Sequence, residues 1–173
     1  LPSGDQLVAH LTGTGLDLDS DLLDSFLRSV PFNARGPRRY SAPKIPLPDS
    51  FPTPRAEKMS TQEGFGRILA DLARDGGALA DAIVTTSPDV TVSTNLGGWV
   101  NRRGIFHRSE QSDVFRDEKI VSAQRWVMNR DGQHVELGIA EHNLFLMLAA
   151  LGLAGPLFGA RLLPIGTLYD PFI

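Results

Sequence analysis

The sequence predicts an α/β fold, a parallel sheet flanked by helices and preceded by an extended linker. Three observations predict it. A capped amphipathic helix begins at Ser60 and runs into a short apolar strand. A second strand near His134 leads straight into a deeply apolar helix. A third strand near Arg161 follows that helix. Helix, strand, loops, strand, helix, strand is the order of a layered sheet covered by helices.

Residues 1–30 hold one helix, opening near Asp19 or Ser20, with Leu22, Leu23, Phe26, Leu27 and Val30 on one face until Pro31 ends it. Alone it is too small to make a core, and it reads as the helical end of a preceding domain. Residues 31–58 are a linker, because Gly36, Pro37, Pro43, Pro46, Pro48 and Pro52 block both continuous helix and central strand. The same prolines would also suit a ligand for a proline-binding partner.

From residue 59 to 173 the pattern is that of one α/β domain, incomplete at its C-terminus. Ser60 and Glu63 form a capping box, and Phe65, Ile68, Leu69 and Leu72 recur at helical spacing until Gly76 and Gly77. Ala82 to Thr86 reads as a buried strand stopped by Ser87-Pro88, with Val90 to Ser93 extending or replacing it. Asn95 to Phe106 is glycine-rich and irregular, and loops and short helices are expected on to Asn129. His134 to Ile139 is a strand. Ala140 opens a helix to Leu153 that is apolar almost all round, the pattern of a buried helix. Gly155-Pro156 breaks it, and Arg161 to Leu168 is the last strand.

The bulk properties narrow the function. The 173 residues are 42% hydrophobic and 21% charged, an ordinary globular composition. A net charge of -3 leaves no broad basic surface for nucleic acid. Without cysteine there is no disulfide framework, thiolate nucleophile or Cys-ligated zinc. Leu144 to Leu153 is about half the ~20 residues that span a bilayer, and no signal pattern opens the chain. A soluble, cytoplasmic protein is expected. The chain starts at Leu1 rather than Met, and it reads as a piece of something larger.

Glu141 is the residue that stands out, at the point where a strand gives way to an apolar helix. Two readings stay open on chemistry alone. It caps the helix N-terminus, where the dipole favours negative charge, or it is a desolvated carboxyl group able to share a proton with a bound heterocycle.

Several segments, taken in order, resemble one family. Gly132 to Asn143 (G-Q-H-V-E-L-G-I-A-E-H-N) resembles the G-Q…G-I-x-E segment of the homodimeric first component of the pyruvate dehydrogenase complex. Ile139 to His142 is similar to the R-E-H segment of transketolases, from the same thiamine-diphosphate superfamily. Met59 to Leu69 is similar to the S-T-x-x-A-F-x-R-x-L helix that opens the family's pyrimidine-binding domain. Gly104-Ile105-Phe106 resembles its G-L-F, Pro164 to Phe172 its aromatic P-F-x-x-Y-x-x-F run, and the linker its interdomain linker. The resemblance covers most of residues 35–173; its motifs are short, and their order carries it.

The resemblance implies a part of a 2-oxo acid dehydrogenase first component, with thiamine diphosphate as cofactor. Glu141 would match the glutamate that hydrogen-bonds the aminopyrimidine and, by sharing a proton with it, activates the cofactor for attack on a 2-oxo acid with loss of carbon dioxide. Phe172 would match the aromatic residue stacked on the pyrimidine, Tyr169 would line the same pocket, and His142 is a further cofactor-binding candidate. Ordinary core packing is the competing reading of both aromatics. His107 and His134 lack a partner pattern and read as surface or core histidines.

No G-D-G…N segment for magnesium and diphosphate is present, so the Mg ligands are expected outside this chain and the chain is expected to be inactive alone. Implied partners are a second copy, giving a homodimer, and a lipoyl-bearing acyltransferase. His142 following Glu141 leaves transketolase-type transfer as the near alternative. A non-catalytic α/β interaction module, with Glu141 merely a cap, is the alternative of another class.

Overall fold

The computed structural model describes residues 5, 6, 9, 19–30, 40–111, 118–122 and 125–170. The elements run α1 (Ser20–Ser29), α2 (Thr61–Asp75), α3 (Ala78–Ala82), β1 (Ile83–Ser87), α4 (Gly97–Arg103), β2 (Ile105–Phe106), β3 (Met128–Asn129), β4 (His134–Glu136), α5 (Glu141–Gly152), α6 (Ala154–Phe158) and β5 (Leu163–Gly166). The chain divides into two units, residues 1–42 with 155–160, and residues 43–154 with 161–173.

In the first unit α1 begins as its sequence dictates. Asp19 accepts a hydrogen bond from the Leu22 N–H at 3.0 Å, satisfying one of the unpaired donors of the first turn. The helix stops at Val30, because the residue before a proline is driven out of helical geometry. The Tyr40 N–H donates to the Pro156 carbonyl at 2.9 Å.

The second unit is built on a five-stranded sheet, order β3-β2-β4-β1-β5, with every neighbouring pair parallel. Gln111 adds an isolated antiparallel bridge to Met128. Ser60 caps α2 by accepting from the Glu63 N–H at 3.1 Å, the contact its capping box predicts. One face of the sheet presents Ile83 and Ile105 to Leu69 and Leu72 of α2, Leu79 of α3, Leu96, and Trp99 and Val100 of α4. Ile165 of β5 packs against the same core.

Strand side chains alternate, so the neighbour of Ile165 looks the other way. There Gly166 lies beneath α5. A Cβ at Gly166 would stand 2.9 Å from Leu148 Cδ1 and 3.1 Å from Leu144 Cδ1. The two crossovers, α4 from β1 to β2 and α5 from β4 to β5, therefore cover opposite faces.

The expectation of a helix buried on every side does not hold for α5. Only Leu144 is fully buried, while Phe145 is 51% exposed, Leu146 69% and Leu153 52%. The physical reason is that one stripe of the helix meets β1 and β5, and a helix apolar all round has more surface than one sheet face can cover. Among the described residues no helix is long and apolar enough to cross a membrane.

Candidate functional site

In a parallel sheet every strand leaves at the same edge, and binding crevices open there between adjacent strands whose exits pass to opposite faces. Strands β1 and β4 are such a pair. The chain leaving β1 turns through Pro88 to Leu96 into α4, and the chain leaving β4 passes through Leu137 to Ala140 into α5. The Leu137 N–H donates to the Ser87 carbonyl at 3.1 Å, tying the two exits together.

Glu141 is the first residue of α5, half-buried at this edge. The N-cap position belongs to Ala140, which has no side-chain hydrogen bond to give, so Glu141 sits one step inside the helix. Its carboxyl group lies where the helix dipole favours negative charge. His142 beside it is exposed. Tyr169 follows β5, the other neighbour of β1, and is 38% exposed. The sheet thus brings Glu141, His142 and Tyr169 to one edge. Phe172 lies outside the described residues.

The same edge carries a polar cluster that sequence patterning passed over. His134 is completely buried on the core-facing side of β4. Its Nδ1 lies 2.9 Å from Thr85 Oγ1 on β1, and its Nε2 lies 2.8 Å from Thr91 Oγ1 in the turn after β1. Thr91 donates to Glu136 Oε2 at 2.5 Å, and the Asp89 N–H donates to Glu136 Oε1 at 2.8 Å. Ser87 Oγ is 2.7 Å from Thr91 Oγ1 and 3.3 Å from Glu136 Oε1. Thr94 adds a contact to Thr167 Oγ1 at 3.0 Å. A cavity of about 290 Å³ opens against this cluster, lined by Asp89, Thr91, Trp126 and Glu136 among others.

A signal for the cluster was present in β1 itself. Thr85, Thr86 and Ser87 are consecutive hydroxyl residues in a central strand, and buried hydroxyls need partners. Parallel register then puts Thr85 opposite His134 and Ser87 opposite Glu136.

Burial alone pushes the Glu136 carboxyl group up, but hydrogen bonds from His134, Thr91 and the Asp89 N–H, with the attraction of His134, outweigh it and hold the group at about 2. A carboxylate with a depressed folded-state pKa contributes stability above its ordinary 4.5, and that contribution is lost as pH falls through about 2. Discounted for partial exposure, it is on the order of 2 kcal/mol. Glu136→Gln is therefore expected to be less stable than wild type at pH 7, with the gap closing between pH 4.5 and 2. Denaturant unfolding across that range checks it, and a gap independent of pH contradicts it.

Among the described residues no group of three or more His, Cys, Asp or Glu side chains is placed to hold a metal ion. The donor set at Glu141 does suit an aminopyrimidine, since a half-buried carboxyl group can both accept from and donate to a ring nitrogen. The chain matches no protein-family model, no curated protein and no solved structure.

Proposed function

We propose that this chain supplies the pyrimidine-binding part of a thiamine-diphosphate-dependent 2-oxo acid dehydrogenase first component, of the pyruvate dehydrogenase type. The observation that carries the proposal is positional. The glutamate singled out by the ordered set of segments opens the helix after β4, at the crevice edge of an all-parallel sheet. When bound, the cofactor provides the carbanion-type nucleophile and electron sink for decarboxylation. Glu141 would hold and share a proton at the ring nitrogen, Tyr169 and His142 would contact the cofactor from the same strand-exit edge, and Phe172 would match the residue that stacks on the ring. Magnesium and diphosphate would be held by residues outside this chain.

The test is release of carbon dioxide from a panel of 2-oxo acids by the full-length protein with thiamine diphosphate and Mg. Release with at least one 2-oxo acid supports the proposal. Transfer of a two-carbon unit between sugars, without release, would favour the transketolase reading, to which His142 after Glu141 points. Neither activity, with the exposed face of α5 still binding a protein, would favour the interaction module.

The proposal carries with it a cytoplasmic enzyme, a homodimer and a lipoyl-bearing acyltransferase as acceptor. Phe145, Leu146 and Leu153 along α5, and Ile139 just before it at 84% exposure, leave apolar side chains in solvent, the kind of exposure that marks an interface. Sedimentation at micromolar concentration is expected to show a dimer. A monomer that still turns over substrate would overturn the expected dimer.

A further inference from the structure

We propose that Thr85, His134, Thr91 and Glu136 are positioning residues, a one-directional hydrogen-bond relay that locks the turn after β1 and so fixes Asp89 at the crevice edge where Glu141 lies. The relay rests on geometry alone; its service to catalysis rests on the function proposed above.

The direction follows from counting protons. An ionised carboxylate only accepts, so Glu136 Oε2 takes the single hydroxyl proton of Thr91 across 2.5 Å. Thr91 Oγ1 can then only accept from its two other neighbours, His134 Nε2 at 2.8 Å and Ser87 Oγ at 2.7 Å. The ring hydrogen of His134 must therefore sit on Nε2, where it points to Thr91 and, at the longer distance of 3.5 Å, also to Glu136 Oε2. In the neutral ring Nδ1 accepts, and the Thr85 hydroxyl at 2.9 Å donates to it. Ser87 spends its proton on Thr91, in keeping with its longer 3.3 and 3.4 Å distances to Glu136. With Thr91 donating to the carboxylate, the Nε2 hydrogen of His134 and the Ser87 donation to Thr91 follow, and Glu136 also accepts the Asp89 N–H.

The far end of the relay holds backbone. Glu136 Oε1 receives the Asp89 N–H, and Asp89 stands at φ 60, a left-handed conformation uncommon outside glycine. Thr91, Glu136 and Asp89 all line the cavity of about 290 Å³ at the strand exits. The relay thus joins two adjacent strands, β1 and β4, to the turn that closes over them. Losing one member leaves a buried partner unpaired and frees the turn.

Nitrogen NMR of the full chain tests the direction without any substitution: the His134 ring is expected to carry its hydrogen on Nε2, and a ring with hydrogen only on Nδ1 overturns the relay. Thr91→Val is expected to raise amide exchange at Asp89 by about tenfold or more, and Thr91→Ser, which keeps the hydroxyl, to restore protection. Unchanged Asp89 exchange in Thr91→Val, or no rescue by serine, overturns the locking role. In the active protein Thr91→Val should lower kcat more than it alters KM, again with rescue by serine; equal turnover in all three proteins overturns the catalytic service. Wild type that releases no carbon dioxide, yet has the Nε2 hydrogen and a protected Asp89 amide, fails the proposed function and leaves the relay standing.

Discussion

On the function proposed above, Glu141→Gln in the full-length protein is expected to lower turnover by about a hundredfold to ten-thousandfold, the range over which a positioned proton-transfer group contributes. The amide keeps the size and polarity of the side chain but can neither take up nor release a proton at the ring nitrogen. Folding should barely register the change. Glu141 occupies the first turn of α5, where a carboxylate gains about 0.3–1 kcal/mol from the dipole, and the cap position itself belongs to Ala140. The two effects separate cleanly in steady-state kinetics and thermal unfolding of one variant. Near-normal turnover with bound cofactor would reduce Glu141 to a favourably placed surface charge.

Gly132→Ala should have the largest effect on stability. A Cβ at position 132 would stand 2.1 Å from the Ile105 carbonyl carbon, 2.2 Å from its oxygen and 2.3 Å from the Phe106 nitrogen. All three are backbone atoms of β2, so no side chain can swing aside, and relief requires moving the strand off β4. Overpacking of this kind costs about 3 kcal/mol or more, a large part of the roughly 5–15 kcal/mol that holds a domain together. The unfolding midpoint is expected to fall by about 6–12 °C. Gly152→Ala, where an added Cβ meets nothing within 4 Å, is the control and should shift it little. Equal midpoints for the two variants would refute the packing argument.

The parts of the fold legible in the sequence are those decided locally. Ser60 and Gly76 bound α2 where the capping box and glycine place its ends, and Asp19 and Pro31 do the same for α1. The strand expected at Ala82 to Thr86 is displaced by one residue, to Ile83–Ser87, since Ala82 closes the short helix α3. The strands expected at His134 to Ile139 and Arg161 to Leu168 are real but shorter, because pairing with β1 ends where the exits diverge. Helix α4 was hidden by Gly97 and Gly98, which weaken helix formation. Burial of Trp99 and Val100 against the α2 side of the core stabilises it instead. At the candidate site, Glu141 drew attention through neighbours in sequence. His134 did not, because its partners Thr85 and Thr91 stand 49 and 43 positions away and meet it only through sheet register.

The position of β1 bears on how the chain assembles during synthesis. Of the described strands, the first in sequence lies inside the sheet, and its neighbours β4 and β5 are the last two. Thr85 leaves the ribosome 49 residues ahead of His134, its partner across the ladder. At about 5–20 residues per second, that is a wait of roughly 2–10 s with both backbone edges of Ile83–Ser87 unpaired. Nothing local can close them, so nucleation depends on distant contacts and is slow by topology. Until β4 arrives, Ile83–Ser87 is a strand without its native neighbours and open to capture by a chaperone.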